Sequence, residues 1–144
     1  MGDIVKDPIF GKMEYKHRWI KKETIRLMDK EYNLNIIASA YTGDQICEKQ
    51  REAYKAFKGK IDKVSRRMPG MIEEYVEEHK DEIAEHFSEI GDPEDAIKFV
   101  KPVSVMFARD GMTVIMCNVA WDEENGIGIE VAPKYKVDLQ EAFL

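Results

Sequence analysis

The chain has 144 residues, a formal net charge of −6, 44% hydrophobic residues and 35% charged ones. That length suits one domain over residues 1–144, able to bury a core without disulfide or metal staples. Two cysteines, no run of about 18 apolar residues and no apolar leader in the opening MGDIVKDP exclude a disulfide scaffold and a membrane helix, and point to the cytoplasm. Lys6 stands where a myristoylation signal wants Ser or Thr.

In chain order, Met13, Tyr15, His17 and Trp19 alternate with Lys12, Glu14, Lys16 and Arg18, the period of a half-buried strand. Residues 24–28 make a second strand. Asp29-Lys30 then turns into a third over 32–41, with Tyr32, Leu34, Ile36, Ala38 and Ala40 on one face. This predicts a three-stranded antiparallel meander.

The middle of the chain is helical and divided by charge. Residues 44–68 carry eight Lys/Arg and four Asp/Glu, whereas residues 69–95 carry one and eleven. Asp44, after Thr42-Gly43, is the expected N-cap of a first helix with Ile46, Ala53, Tyr54, Phe57, Ile61, Val64 and Met68 on its apolar face. Gly59 weakens its middle, and Pro69 is expected to end it and open a second helix. There Ile72, Tyr75, Val76, His79, Ile83, His86, Phe87 and Ile90 form one stripe, and acids cover the remainder. Gly91-Asp92-Pro93 stops the helix, and Asp92 to Asp95 cap one more turn through Phe99. The expectation is a helical hairpin with one basic and one acidic arm.

Strands return over 103–108, 113–121 and 127–132, joined by Asp110-Gly111 and Asn125-Gly126, both strong hairpin signals. The first two leave neither face polar, so they belong in the middle of a sheet or under cover on both sides. The helices cover one face; the N-terminal meander, the C-terminal tail or a second subunit must cover the other. The predicted class is α+β, with two antiparallel three-stranded meanders flanking a helical hairpin, βββ-αα-βββ.

Few motifs carry chemistry. Gly126-Ile127-Gly128 lacks the third glycine of a dinucleotide-binding loop. Cys47 and Cys117 have no zinc-site spacing. Counted from Asp122, glycine and the closing acid fall at the wrong places for a calcium loop. No metal and no cofactor is expected. His79, Glu82 and His86 share a helix face and suit either a general base beside a carboxylate or two rings edging the apolar stripe. Asp122-Glu123-Glu124 suits a paired-carboxylate site or a solvated turn with Asp122 capping the backbone.

The run from Cys117 through Trp121-Asp122-Glu123-Glu124-Asn125-Gly126-Ile127-Gly128 resembles the pattern C-x-x-x-W-D-x-E-H-G-[LI]-G of an uncharacterised bacterial and phage family. Asp7 to Tyr15, followed by Trp19, is similar to the opening of related chains, and Asn125 stands where the pattern has His. The resemblance implies a small cytosolic α+β protein with no established activity, similar to immunity proteins or prophage accessory proteins.

The leading functional expectation is a non-enzymatic domain that occludes a basic protein partner, such as a toxin domain. Its acidic helix residues Glu73, Glu74, Glu77, Glu78, Asp81 and Glu85 would make contact, with Trp121, Asp122, Glu123 and Glu124 as a second patch. So acidic a face repels nucleic acid. One rival is a small hydrolase or nucleotide-processing enzyme using His79/His86 or the Asp122–Glu124 carboxylates. Another is a structural subunit that forms a homodimer through the apolar face of the 103–121 hairpin.

Overall fold

The computed structural model describes residues 3–144; Met1 and Gly2, where a myristoylation signal would begin, lie outside the described residues. Four strands come first, β1 (Ile4–Asp7), β2 (Gly11–Tyr15), β3 (Trp19–Leu27) and β4 (Lys30–Ala38). Three helices follow, α1 (Glu48–Gly59), α2 (Ile61–Glu78) and α3 (Lys80–His86), and then the expected 3-10 turn, Pro93–Phe99, with Asp92 at its N-cap. The chain returns as β5 (Val100–Phe107), β6 (Thr113–Val119), β7 (Ile127–Ala132) and β8 (Lys136–Leu139), and closes on a 3-10 turn, Gln140–Phe143.

The α+β class holds, but the two separate meanders do not. All eight strands form one sheet in chain order, antiparallel at every step except β4–β5, which is parallel from Asn35 opposite Ser104 to Ala38 opposite Phe107. Two four-stranded meanders therefore fuse edge to edge, and the helices are the crossover that a parallel pair requires. The physical reason lies in β4, β5 and β6. Ile36, Ile37, Val105, Met106, Val114 and Ile115 are all buried, so each strand has apolar groups to bury on both faces, and only a central position allows that.

Local turns differ from expectation by small steps. Met28-Asp29, with φ of 50° and 66°, makes the two-residue β3–β4 turn in place of Asp29-Lys30. His17, with φ of 67°, turns the chain so that Trp19 opens β3 and does not continue β2.

The helical hairpin is also revised. Asp44 is not the cap of α1; Cys47 is, and Gln50 at its third position accepts the Cys47 N–H at 3.0 Å. The fully buried Gln50 amide donates to Ser39 O at 2.8 Å and Phe107 O at 3.0 Å, pinning α1 to the sheet where β4 meets β5. The helix breaks at Lys60, just after Gly59, while Pro69 lies inside α2. A mid-helix proline costs about 3 kcal/mol. Continuing the helix keeps Val64, Met68, Ile72, Tyr75 and Val76 on one buried face, which offsets that cost. The basic and acidic runs are thus successive halves of one helix, with Lys63, Arg66 and Arg67 ahead of Glu73, Glu74, Glu77 and Glu78.

The helices cover one face of the sheet over Phe10, Met13, Leu34, Ile36, Phe107 and Ile115. On the other face Ile37, Met106, Val114 and Met116 lie under Phe143 of the C-terminal tail, one of the three covers considered. A Cβ at Gly128 would stand 2.6 Å from the Phe143 ring. At Gly126 (φ 61°) it would stand 2.6 Å from Cys117 O and against the Gln140 amide, which itself donates to Cys117 O at 2.9 Å. The G-x-G that fails as a nucleotide loop is the seat on which the tail closes.

Candidate functional site

Helix α2 ends where His79 leaves helical geometry (φ −114°, ψ 16°), and α3 restarts one residue later. The His79 ring stacks on Tyr75 with centroids 4.2 Å apart, and Nδ1 lies 2.9 Å from Tyr75 O. A carbonyl only accepts, so Nδ1 carries the hydrogen, and the Tyr75 carbonyl accepts from both the ring and the His79 backbone N–H, the latter at 3.1 Å.

Across from this break lies the β6–β7 connection. Asp122 accepts the Asn125 backbone N–H at 3.2 Å and the Asn125 side-chain amide at 3.1 Å, the expected capping role. Gly126 then supplies the left-handed turn into β7. Trp121, 8% exposed, is held in the core beside it.

Between these elements and β8 opens a cleft of about 640 Å³. Tyr75, His79, Glu82, Ile83, Glu85 and His86 line it from α2 and α3, with Trp121, Asp122, Glu124 and Asn125 from the turn and Asp138 and Leu139 from β8. Five carboxylates line this space, and one of them, Asp138, pairs with Lys136 at 3.7 Å. Their field is felt at Tyr75, whose hydroxyl pKa is raised by burial first and then by the charges of Asp138, Asp122 and Glu82.

The two sets of chemistry-bearing residues read from the sequence thus meet in part. Glu85, Trp121, Asp122 and Glu124 converge in the cleft with His79, Glu82 and His86. Glu74 and Glu78 line an adjoining groove with Tyr135 and Lys136, and Glu74, Glu77, Glu78 and Asp81 are exposed, with Glu73 half-buried. Glu123 faces away, lining a shallow site with Phe99, Lys101 and Asn118. Among the described residues, the only ion pair any of these acids makes is Glu77 with Lys80 at 3.4 Å, an exposed contact of small energy. Four glutamates in the second half of α2, with no base in its last turn, also oppose the helix dipole, so helix stability does not account for them.

Sequence reasoning missed Tyr75 and Asp138 as site residues. Tyr75 carries the spacing of a core residue, and Asp138 sits on β8, whose four residues Lys136–Leu139 are too short and mixed to stand out as a strand. Among the described residues no cluster of three or more His, Cys, Asp or Glu is arranged to hold a metal ion, and no helix is long and apolar enough to cross a membrane.

The molecule is an α+β domain with an acidic, aromatic-walled cleft beside the seam of its helices and last strands. A family model described as Domain of unknown function (DUF6985) matches residues 9–134, and the chain belongs to that family. No curated protein and no solved structure matches it.

Proposed function

We propose that the chain is a non-enzymatic, cytoplasmic protein-binding domain that occludes a basic surface of a protein partner, in an immunity-type or prophage accessory role. The acidic side of α2 and α3, with the Trp121–Asn125 turn, is the docking face. One observation carries this: Glu82 and Glu85 of α3 and Asp122 and Glu124 of the turn line one cleft, and Glu74 and Glu78 of α2 line the groove beside it. Charges left without partners at some cost to the helix are available to steer association and exclude wrong partners. Two free thiols, one fully buried, suit a reducing compartment.

The test is a photo-crosslinking residue at Glu78, with a control at Lys22 on the far face of the sheet, in cells that make the protein. The Glu78 probe should capture one partner through a net-basic surface. The variant E74K/E77K/E78K/E85K should lose that capture. Equal crosslinking from Lys22, or capture that survives charge reversal, would refute the proposal.

A further inference from the structure

We propose that a second copy of this chain docks against α2, the two helices running antiparallel about a twofold axis through Gly70.

The stripe of α2 turned away from the sheet carries charges of both signs around one glycine. Gly70 lies two residues from Met68 and two from Ile72, both fully buried, and so stands about 160° around the helix from each. It is exposed, its backbone is not left-handed, and a Cβ there would meet nothing within 4 Å. No turn and no contact within the chain asks for glycine here, and a glycine in a helix interior weakens the helix. What the missing side chain offers is close approach for a second backbone from outside.

The charges on either side of Gly70 are antisymmetric. Four residues away, about 6 Å along the axis, Arg66 lies on one side and Glu74 on the other. Seven residues away, about 10 Å, the pair is Lys63 and Glu77. All four are exposed and lie within about 40° of the line through Gly70. A twofold axis sets each residue against the one equally far beyond Gly70 in the second copy. Arg66 then meets Glu74 of the second copy and Lys63 meets its Glu77, each pair made twice. A parallel pairing would stack like charge on like. Within the chain these charges are little used: among the described residues Lys63, Arg66 and Glu74 make no ion pair, and Glu77 has only its exposed contact with Lys80. Arg67, which would oppose Glu73, is instead stacked on the Tyr135 ring at 3.9 Å. Asp62 and Glu78, a like-charged pair in this register, stand about 80° off the line, outside the contact. A contact confined to one helix face is small, so the pairing is weak and depends on salt. It shares Glu74 and Glu77 with the docking face proposed above but does not rest on that reading.

Analytical ultracentrifugation of the full chain is the test. At about 100 μM and low salt the parent should sediment as a mixture of monomer and dimer, and about 0.5 M salt should return it to monomer. The variants K63E/R66E and E74K/E77K should each weaken self-association at least about tenfold. Mixed in equal amounts they should form a heterodimer, because one stripe is then wholly acidic and the other wholly basic. The fourfold swap K63E/R66E/E74K/E77K inverts every pair and keeps the antisymmetry, so it should recover the parent's Kd within about threefold. Gly70→Gln should weaken the dimer at least about tenfold while raising the melting temperature, which separates a blocked crossing from a damaged fold. A parent that stays monomeric at low salt, a dimer indifferent to either reversal, or a fourfold swap that stays monomeric would overturn the proposal. A foreign basic protein crosslinked at Glu78 by a chain that is monomeric at low salt would sink the dimer alone. A dimer that obeys these rules, with no foreign protein captured at Glu78, would sink the docking face instead.

Discussion

Two clefts of nearly equal volume, about 650 and 640 Å³, treat their acids in opposite ways. The first lies between β1, the start of β3 and the 42–46 loop, and of its three acids, Asp3, Asp7 and Asp44, the buried one is Asp7. Asp7 is almost fully buried and accepts the N–H groups of Ile9 at 3.0 Å and Phe10 at 2.9 Å and the Arg51 guanidinium at 2.8 Å. The Trp19 indole there donates to Asp44 O at 3.0 Å. In the second cleft Glu82, Glu85 and Glu124 have no such partners among the described residues. The contrast separates charge used to close a fold from charge left available to a ligand.

The comparison breaks first at the turn that builds the open cleft. Gly126→Ala should cost about 3 kcal/mol in denaturant unfolding, since the new methyl meets the Cys117 carbonyl in a left-handed conformation. A neutral result would mean that the second cleft is open because its wall is soft.

Asp7→Ala should cost about 2 kcal/mol, by stranding Arg51 and two backbone N–H groups. Burial alone would raise the Asp7 pKa, but the Phe10 N–H, the Arg51 guanidinium and the Ile9 N–H outweigh it and hold the carboxyl below its ordinary value. A depressed folded pKa contributes stability that is present at neutral pH and lost as pH falls through that lowered value. The stability gap between parent and variant should therefore hold steady from about pH 8 to 5 and narrow below about pH 4. A gap indifferent to acid would show that the carboxylate charge is not what Arg51 needs.

The smallest effect should come from Glu82→Gln and Glu85→Gln, each within about 0.5 kcal/mol of the parent by thermal unfolding. A larger loss would mean that those acids hold the fold together, and the contrast between the clefts would disappear.

Much of this was legible in the chain. The alternation around Tyr15, the Asp110-Gly111 and Asn125-Gly126 turns and the capped turn at Asp92 are local, and local chemistry decided them. Pro69 misled because a local penalty was outweighed by burial of Met68 and Ile72 against partners distant in sequence. The fusion of the two meanders was illegible for the same reason: nothing near Asn35 announces Ser104. In the candidate site, the acids and histidines were visible as residue types, and their meeting around Tyr75 depended on a helix break and a short edge strand that no period reveals.

The β4–β5 seam has a consequence for how the chain reaches its fold. Every other strand pair joins neighbours in sequence, so each meander zips from its own turns. The seam instead unites positions about 70 residues apart, and the entropy of closing that loop falls on one parallel register. Gln50, bonded to Ser39 just after β4 and to Phe107 at the end of β5 from a helix within the loop, is placed to act as the latch of that late step. Before the latch engages, the inner edges of both half-sheets stand bare, and this is the interval in which the protein is most open to pairing with the wrong strand.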